Sequence, residues 1–164
     1  CVRTHIIDRI FAGVNIGFMK NVLNELEIAA WAGFVMTQGR LFRRIEDELR
    51  QQSGITHSEY EVLLRLNYSK ERRERIQTLA AKSLLSRSGT SRAVDRLVKV
   101  GYVKRSDAEE DGRGAYAELT ARGRAFFEKT QAEHLKLVKD VYISKFNEPE
   151  LKLLAEFWKR FAGM

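Results

Sequence analysis

The chain has 164 residues, of which 44% are hydrophobic and 31% charged, a composition typical of a globular protein. Its single proline favours long helices and argues against an all-β sandwich. Basic residues outnumber acidic ones, and the formal net charge of +7 indicates a polyanionic partner, although solubility alone would account for the sign.

Cysteine content and hydropathy exclude further classes of protein. The one cysteine, Cys1, excludes an internal disulfide framework and a cysteine-based zinc site within one chain. The longest uncharged stretch has twelve residues, whereas a membrane-spanning helix needs about 20 apolar residues. We therefore expect a cytoplasmic protein that does not contact a membrane. We also expect residues 1–18 to be an extension of unassigned origin, since Met19 is a candidate natural start.

Apolar residues three or four positions apart predict a long first helix that begins near Leu23. Gly54 interrupts this pattern. The residues that follow, Thr56-x-x-Glu59, form a capping-box motif, in which the two side chains satisfy backbone groups in the first turn of a helix. The sequence therefore predicts a second, shorter helix directly after the first.

Two further helices are predicted in the middle of the chain. Residues 70–75 are charged and are predicted to form a loop, and a short helix follows over residues 76–85. Ser86 is a favourable N-cap for a fourth helix over residues 87–100, and Gly101 suits the left-handed position that follows a helix. Two short helices with a tight connection have the dimensions of a helix-turn-helix.

The period of the pattern changes after the fourth helix. Apolar and polar residues alternate near residues 102–105 and 115–119, which predicts two short strands. Residues 107–114 between them are polar and contain glycine, as expected for the tip of a hairpin. Thr120 is then predicted to cap a long helix, and the motif Asn147-Glu-Pro-Glu to open a final one.

The excess positive charge is concentrated in this central part of the chain. Residues 72–124 contain 13 basic and 7 acidic residues, so they hold nearly all of the excess. Solubility does not require such clustering, whereas binding to nucleic acid benefits from it, because each contact with a phosphate releases condensed counterions. The clustering therefore favours a nucleic-acid partner for the predicted helix-turn-helix.

The fourth helix carries most of the candidate DNA-binding residues. Val94, Leu97 and Val98 are predicted to face the core, which leaves the polar residues on the outer face. Hydroxyl groups near the helix start allow close approach to a groove, and arginines four residues apart share a face. The candidates for contacts with bases are Thr90, Ser91 and Arg92, those for contacts with phosphates are Arg87, Arg96, Lys99 and Lys104, and Ser88 is a further candidate DNA-binding residue. The alternative is an amphipathic surface helix with solvated charges.

The predicted hairpin adds one more candidate, Arg113, which lies between two glycines at its tip. A hairpin beside a helix-turn-helix is a wing, and a narrow minor groove attracts arginine. We therefore expect Arg113 to enter the minor groove of DNA, although glycines at a hairpin tip serve a tight turn equally well.

Several short motifs follow one another in a specific order and spacing: Leu79-Ala80, Ser91-Arg92, Asp95-Arg96-Leu97, Gly101-Tyr-Val-Lys-Arg105, Asp111-Gly-Arg113 and Leu119-Thr120-x-x-Gly123. Together they resemble the MarR family of winged-helix transcriptional regulators, and the resemblance extends from about Leu23 to the C-terminus. It implies a mainly α fold with a small β-hairpin wing, in which a winged helix-turn-helix core is flanked by long dimerisation helices. It also implies a homodimer that binds pseudo-palindromic double-stranded DNA through its recognition helices, residues 87–100, and its wings.

The resemblance also implies a division of the chain into functional regions. The N-terminal dimerisation helix is expected over residues 19–56, the DNA-binding region over residues 57–120 and the C-terminal dimerisation helices over residues 121–164. The outer helices carry more aromatic side chains than are needed to cover the hydrophobic core of a winged domain of roughly 65 residues. A partner copy of the chain would bury the remaining ones. Packing among the helices of one chain is the alternative.

Similar regulators often respond to a small-molecule effector. Trp31, Phe34 and Tyr68 are the candidate lining of a ligand pocket between the dimerisation helices and the winged core. Aromatic residues at helical spacing are nevertheless core residues more often than ligand contacts.

Other functional classes have weaker support in the sequence. Alternating acidic residues from Asp107 to Asp111, with Glu118 at the twelfth position, are similar to a calcium-binding loop, but the predicted flanking strands argue against one. The three histidines are scattered, so we expect no metal and no cofactor. The sequence lacks a recognisable catalytic motif, so we expect no enzyme. The main alternative to DNA binding is a winged-helix module that docks on an acidic protein.

Overall fold

The computed structural model describes residues 22–83, 85–107 and 115–161. These residues form six α-helices and three β-strands, and the predicted fold class, mainly α with a small sheet, is confirmed. In chain order the elements are α1 (Glu25–Ser53), α2 (His57–Tyr68), β1 (Arg73–Arg75), α3 (Ile76–Lys82), α4 (Arg87–Lys99), β2 (Val103–Asp107), β3 (Ala115–Leu119), α5 (Ala121–Val141) and α6 (Glu148–Lys159). Short 3-10 turns precede β1 and α6.

The chain divides into two compact units, and the boundary between them falls after Arg44, inside α1. In the first unit, Ile28 and Ala32 are buried, whereas Trp31 and Phe34 are about half exposed. The rings of Trp31 and Phe34 lie 6.0 Å apart. The second unit begins at Ile45 and contains α2 to α6 and the sheet.

The helices of the second unit begin where the sequence predicts. Four predicted N-caps are confirmed, because each side chain accepts a hydrogen bond from the backbone N–H three residues later: Thr56, Ser86, Thr120 and Asn147. Gly101 has the left-handed φ of +76° expected after α4. Helix α3 ends at Lys82, three residues earlier than predicted.

The three strands form one antiparallel sheet in the order β1-β3-β2. Strands β2 and β3 correspond to the predicted hairpin, whereas β1 lies in the predicted charged loop, and that prediction was wrong. Glu71 and Arg72 have positive φ values of 56° and 54°, and this turn brings the chain back against β3. Edge strand β1 contains only charged residues, so it lacks the apolar alternation that identifies a strand in a sequence.

The core of the second unit lies between α2, α4, α5 and one face of the sheet. Its fully buried side chains include Leu63 and Leu66 of α2, Leu97 of α4 and Phe127 of α5. Burying a side chain of this size contributes about 1.5–3 kcal/mol, so this core holds α4 firmly against its neighbours. Within the described residues, no helix is both long and apolar enough to cross a bilayer.

Candidate nucleic-acid interface

Helix α4 presents one face to the core and the other to solvent. The buried face consists of Thr90, Ala93, Val94 and Leu97, each of which has another member three or four positions away. Five predicted contact residues are exposed or partly exposed on the outer part of the helix: Arg87, Ser88, Ser91, Arg92 and Lys99. A rigidly packed helix with small hydroxyls near its start and cations along its outer face is suited to a major groove.

Two predicted orientations on α4 are wrong. Thr90 was predicted to face outward, but it is fully buried, and its hydroxyl donates a hydrogen bond to the carbonyl of Ser86 at 3.1 Å. Val98 was predicted to face the core, but it is 37% exposed. Both differences have one cause, which is that the buried face of α4 is rotated about the helix axis relative to the predicted face. It includes Thr90 and Ala93 and leaves Val98 at its edge. Thr90 is a core residue and not a contact for bases.

Arg96 is held by the protein itself. Its Nε lies 2.5 Å from the carboxylate of Glu59 in α2, and the Glu59 side chain is only 8% exposed. Burial alone raises the pKa of Glu59, but hydrogen bonds from the Thr56 backbone and from Arg96 outweigh it and lower the pKa below its ordinary value. Arg96 is predicted to contact phosphate, but in the structure it connects α4 to the start of α2, a role that no local pattern in the sequence indicates.

Two cations on β2 form ion pairs at the surface. Lys104 Nζ lies 2.9 Å from Glu118 on β3, and Arg105 lies 2.8 Å from Asp95 on α4. Exposed pairs of this kind stabilise a protein by about 0–1 kcal/mol, so either cation can exchange its partner for a phosphate at little cost. Lys104 stays a predicted phosphate contact.

The turn between α4 and β2 is fixed by Thr120 at the start of α5. The Thr120 hydroxyl donates to the carbonyl oxygens of Gly101 and Tyr102, at 2.8 and 3.1 Å, and accepts the N–H of Gly123 at 2.9 Å. A Cβ atom on Gly123 would overlap the backbone carbonyl of Tyr102. The Leu119-Thr120-x-x-Gly123 motif is thus explained by a close approach of backbone to backbone.

The predicted wing tip lies outside the described residues. Residues 108–114, with Arg113 and most of the candidate calcium-binding loop, belong to this segment. Strands β2 and β3 pair from Val103 and Leu119 as far as Asp107 and Ala115, so they lead directly to it. The role of Arg113 in the minor groove stays a prediction.

Of the candidate ligand-pocket residues, only Tyr68 lies in the second unit. It is 70% exposed, its hydroxyl accepts a hydrogen bond from Gln131 at 3.1 Å, and it lines an open cavity of about 320 Å³. The other residues that line this cavity are Leu64, Arg65, Ser69, Glu74, Leu79 and Lys82. Trp31 and Phe34 belong to the first unit, and a pocket that unites all three stays a prediction.

A small void of about 10 Å³ lies where α5 meets the end of α1. His134 lines it, and the Nδ1 atom of His134 is buried without a hydrogen-bond partner among the described residues. The ring centroid of His134 lies 4.6 Å from that of Tyr60. Burial, and to a smaller extent the neighbouring His57, lowers the pKa of His134. No group of three or more acidic, histidine or cysteine side chains in the described part of the chain is placed to hold a metal ion.

A helix-turn-helix (α3 and α4) followed by a β2–β3 hairpin in a three-stranded sheet defines a winged helix-turn-helix protein. A model of the MarR family matches residues 53–114. The chain is 30% identical in sequence to Sco3205, a MarR family transcriptional regulator from Streptomyces coelicolor whose crystal structure was determined in complex with DNA. The two structures agree with a TM-score of 0.80 over 85% of this chain and 88% of Sco3205.

Other relatives agree with this assignment. AbsC, a MarR family transcriptional regulator from the same organism, has a TM-score of 0.79 and 29% identity, over 86% of this chain and 95% of AbsC. The HTH-type transcriptional regulator PapX of Escherichia coli is 30% identical over 63% of this chain and 68% of its own length. The chain spans 64% of the length of a further relative from Escherichia coli, PrsX, at 29% identity. The chain belongs to the MarR family.

Proposed function

We propose that the protein is a transcriptional regulator that binds double-stranded DNA as a homodimer at a pseudo-palindromic site. The observation that carries this proposal is the outer face of α4, where cations and small hydroxyls project from a helix whose opposite face is fully buried. The similarity to Sco3205, which was crystallised with DNA, supports it.

In this proposal the contact residues have different tasks. Ser88, Ser91 and Arg92 approach base edges in the major groove, because they lie near the start of α4. Phosphate contacts come from Arg87 and Lys99 at the two ends of α4 and from Lys104 on β2. Arg113 at the wing tip enters the neighbouring minor groove.

A second copy of the chain accounts for the apolar side chains that the outer helices expose. On α1, Trp31 is 56% and Phe34 is 46% exposed, and on α6, Leu153 and Trp158 are 57% and 45% exposed. Exposed large apolar residues in this number are typical of an interface between proteins. A twofold dimer places two copies of α4 about 34 Å apart, one turn of B-form DNA. A cytoplasmic location and control by a small molecule bound near Trp31, Phe34 and Tyr68 complete the proposal.

Selection of bound sequences from random duplex DNA tests the proposal. We expect an enriched inverted repeat, two chains per duplex by light scattering, and affinity that falls steeply between about 50 and 200 mM salt. A chain that binds no duplex at about 50 mM salt contradicts the proposal and favours a winged-helix module that docks on protein.

A further inference from the structure

Two arginines and one tyrosine form a cluster on the outer face of the sheet. The guanidinium carbon of Arg73 on β1 lies 4.1 Å from the ring centroid of Tyr116 on β3, and that of Arg75 lies 5.4 Å from the same centroid. Arg75 Nε also donates a hydrogen bond to the Tyr116 hydroxyl at 3.0 Å, and Arg73 donates to Ser106 Oγ on β2 at 3.4 Å. We call these three residues, Arg73, Arg75 and Tyr116, the arginine–tyrosine cluster.

The cluster holds two positive charges against one ring. An aromatic face attracts a guanidinium group and restricts its orientation, so less conformational freedom is lost when the group binds a ligand. In the described part of the chain, no carboxylate pairs with Arg73. The acidic residue opposite Arg73 in the strand register, Glu118, instead pairs with Lys104 at 2.9 Å. A guanidinium group has five N–H donors in a planar arrangement that fits two oxygens of a phosphate, and the hydrogen bond from Arg73 to Ser106 uses one of them.

The position of the cluster in the fold points to a particular ligand. Arg75 is the N-cap residue of α3, the first helix of the helix-turn-helix. Tyr116 lies two residues after the predicted wing tip, about 7 Å along the strand. The cluster therefore lies between the helix-turn-helix and the wing. If α4 occupies a major groove and the wing the next minor groove, the phosphate backbone that separates the two grooves passes between these elements.

We propose that Arg73 and Arg75 form a binding site for the phosphodiester backbone between the two grooves, with Tyr116 as the residue that positions both guanidinium groups. This inference rests on the proposed DNA-binding function. It adds a contact surface on β1 to the recognition helix and the wing tip. Because it recognises phosphate alone, the site contributes to affinity and not to the choice of sequence.

The test compares Arg73→Gln, Arg75→Gln and the double variant with the wild-type chain, with binding to a 30-base-pair random duplex measured at several salt concentrations. Each lost phosphate contact is expected to reduce the slope of log affinity against log salt by about 0.9, and the double variant by about 1.8. The base preference of selected sites is expected to stay unchanged. Tyr116→Leu keeps both charges and is expected to weaken binding with most of the slope retained.

Arg160→Gln is the matched control, because it removes another guanidinium group that lies over an aromatic ring, 5.1 Å from Phe157 after α6. If the wild-type chain binds duplex and the double variant has the same salt slope as Arg160→Gln, the inference is overturned and the proposed function is left intact. A wild-type chain that does not bind duplex overturns both. If the glutamine variants melt early, their binding is measured below their melting temperature, where a slope equal to that of Arg160→Gln contradicts the inference and a reduced slope supports it.

Discussion

The carboxylate of Glu59 in α2 accepts a hydrogen bond from the guanidinium group of Arg96 in α4, at a distance of 2.5 Å. The same carboxylate closes the capping box of α2, because it also accepts the backbone N–H of Thr56 at 2.6 Å. One nearly buried side chain thus fixes both the start of α2 and the last turn of the proposed recognition helix. Arg96 acts as a positioning residue in this arrangement.

Replacing Glu59 with glutamine is expected to weaken DNA binding, although the change makes the chain more positive. Charge alone would strengthen binding, so weaker binding identifies a loss of positioning. The same substitution is expected to lower the free energy of unfolding by about 1–3 kcal/mol, because a charge-assisted hydrogen bond is lost. Denaturant unfolding and duplex titration measure the two effects.

The matched control for this prediction is Glu61→Gln. Glu61 is also nearly buried on α2, but it pairs with Arg65 of the same helix at 2.9 Å and not with α4. We expect Glu61→Gln to leave duplex affinity unchanged or slightly increased, because it makes the same change in charge without removing a contact to α4. Because the pKa of Glu59 is lowered in the folded protein, its contribution is present above the ordinary value of 4.5 and is lost as the pH falls through the folded value. Tighter duplex binding by Glu59→Gln would contradict the positioning role.

Gly123→Ala is expected to destabilise the protein by about 3 kcal/mol, at the upper end of the roughly 1–3 kcal/mol that overpacking typically costs. The added methyl group would overlap the backbone of Tyr102, and a change of side-chain rotamer does not remove this overlap. Thermal unfolding measures this loss. Gly39→Ala on α1 is the control, because a Cβ atom there meets nothing within 4 Å. Alanine in a helix is favoured over glycine by about 1 kcal/mol, so this control is expected to be neutral or stabilising. Equal melting temperatures for the two variants would contradict the proposed close approach.

The buried Nδ1 atom of His134 predicts a pH-dependent stability. The pKa of His134 is lowered in the folded protein, so the unfolded chain binds the proton more tightly. The free energy of unfolding therefore falls as the pH drops below the ordinary value of 6.5, and this loss is absent above about pH 7.5. We expect the melting temperature to decrease between pH 7.5 and pH 5.5.

His134→Phe is expected to reduce this decrease, because phenylalanine keeps a ring beside Tyr60 and has no proton to bind. His57→Asn removes only the smaller cause of the shift and is expected to keep most of the decrease. The charged groups nearest to the void are Glu48 on α1 and Glu133 on α5, and both are intact in these variants. An unchanged pH dependence in His134→Phe would assign the effect to another group.

Arg92 and Lys99 on α4 are expected to differ in what they recognise. Arg92→Gln should reduce discrimination at one base pair in each half-site by about 1–3 kcal/mol, the usual contribution of a bidentate contact to a base. Lys99→Gln should weaken binding to all sequences equally and lower the salt slope by about 0.9. Titrations of the selected site and of its single-base variants distinguish the two. Uniform weakening by Arg92→Gln would place this residue at a phosphate.

Arg113→Ala is expected to weaken duplex binding and to reduce the salt slope by about one unit, because the proposed wing-tip arginine lies among phosphates in the minor groove. The preference for A·T pairs at the flanks of the site is expected to weaken as well. Lys152→Ala on α6, which removes a cation far along the chain from the wing, serves as the control. An unchanged slope would remove Arg113 from the set of DNA contacts.

The elements that the sequence predicts correctly are those with a local signal. Thr56 and Asn147 each start a helix through a capping box that lies within four residues, and Gly101 supplies its own backbone preference. Such signals do not depend on distant parts of the chain. Helix starts and the β2–β3 pairing were therefore predictable.

The features that the sequence does not predict depend on tertiary contacts. Strand β1 forms because β3 offers an unpaired edge to Arg73–Arg75, and the sequence of β1 alone resembles a loop. Arg96 is typical of a solvated helix face until Glu59, 37 residues away in the chain, is placed beside it. The Thr90 hydroxyl is predicted to contact DNA, but it instead donates a hydrogen bond to the carbonyl of Ser86, four residues earlier in the same helix.

Thr120 unites three parts of the second unit in one joint. It closes the turn that follows α4, directly follows the last residue of β3 and starts α5, and its hydroxyl forms hydrogen bonds with both the turn and the first turn of α5. Gly123 lies so close to the backbone of Tyr102 that a Cβ atom would overlap it. The first turn of α5 therefore does not move independently of the turn between α4 and β2. A tilt of α5 would therefore move the turn between α4 and β2 with it, and in the proposed homodimer an event at the far end of α5 would change the spacing of the two α4 helices without rearrangement inside either winged core.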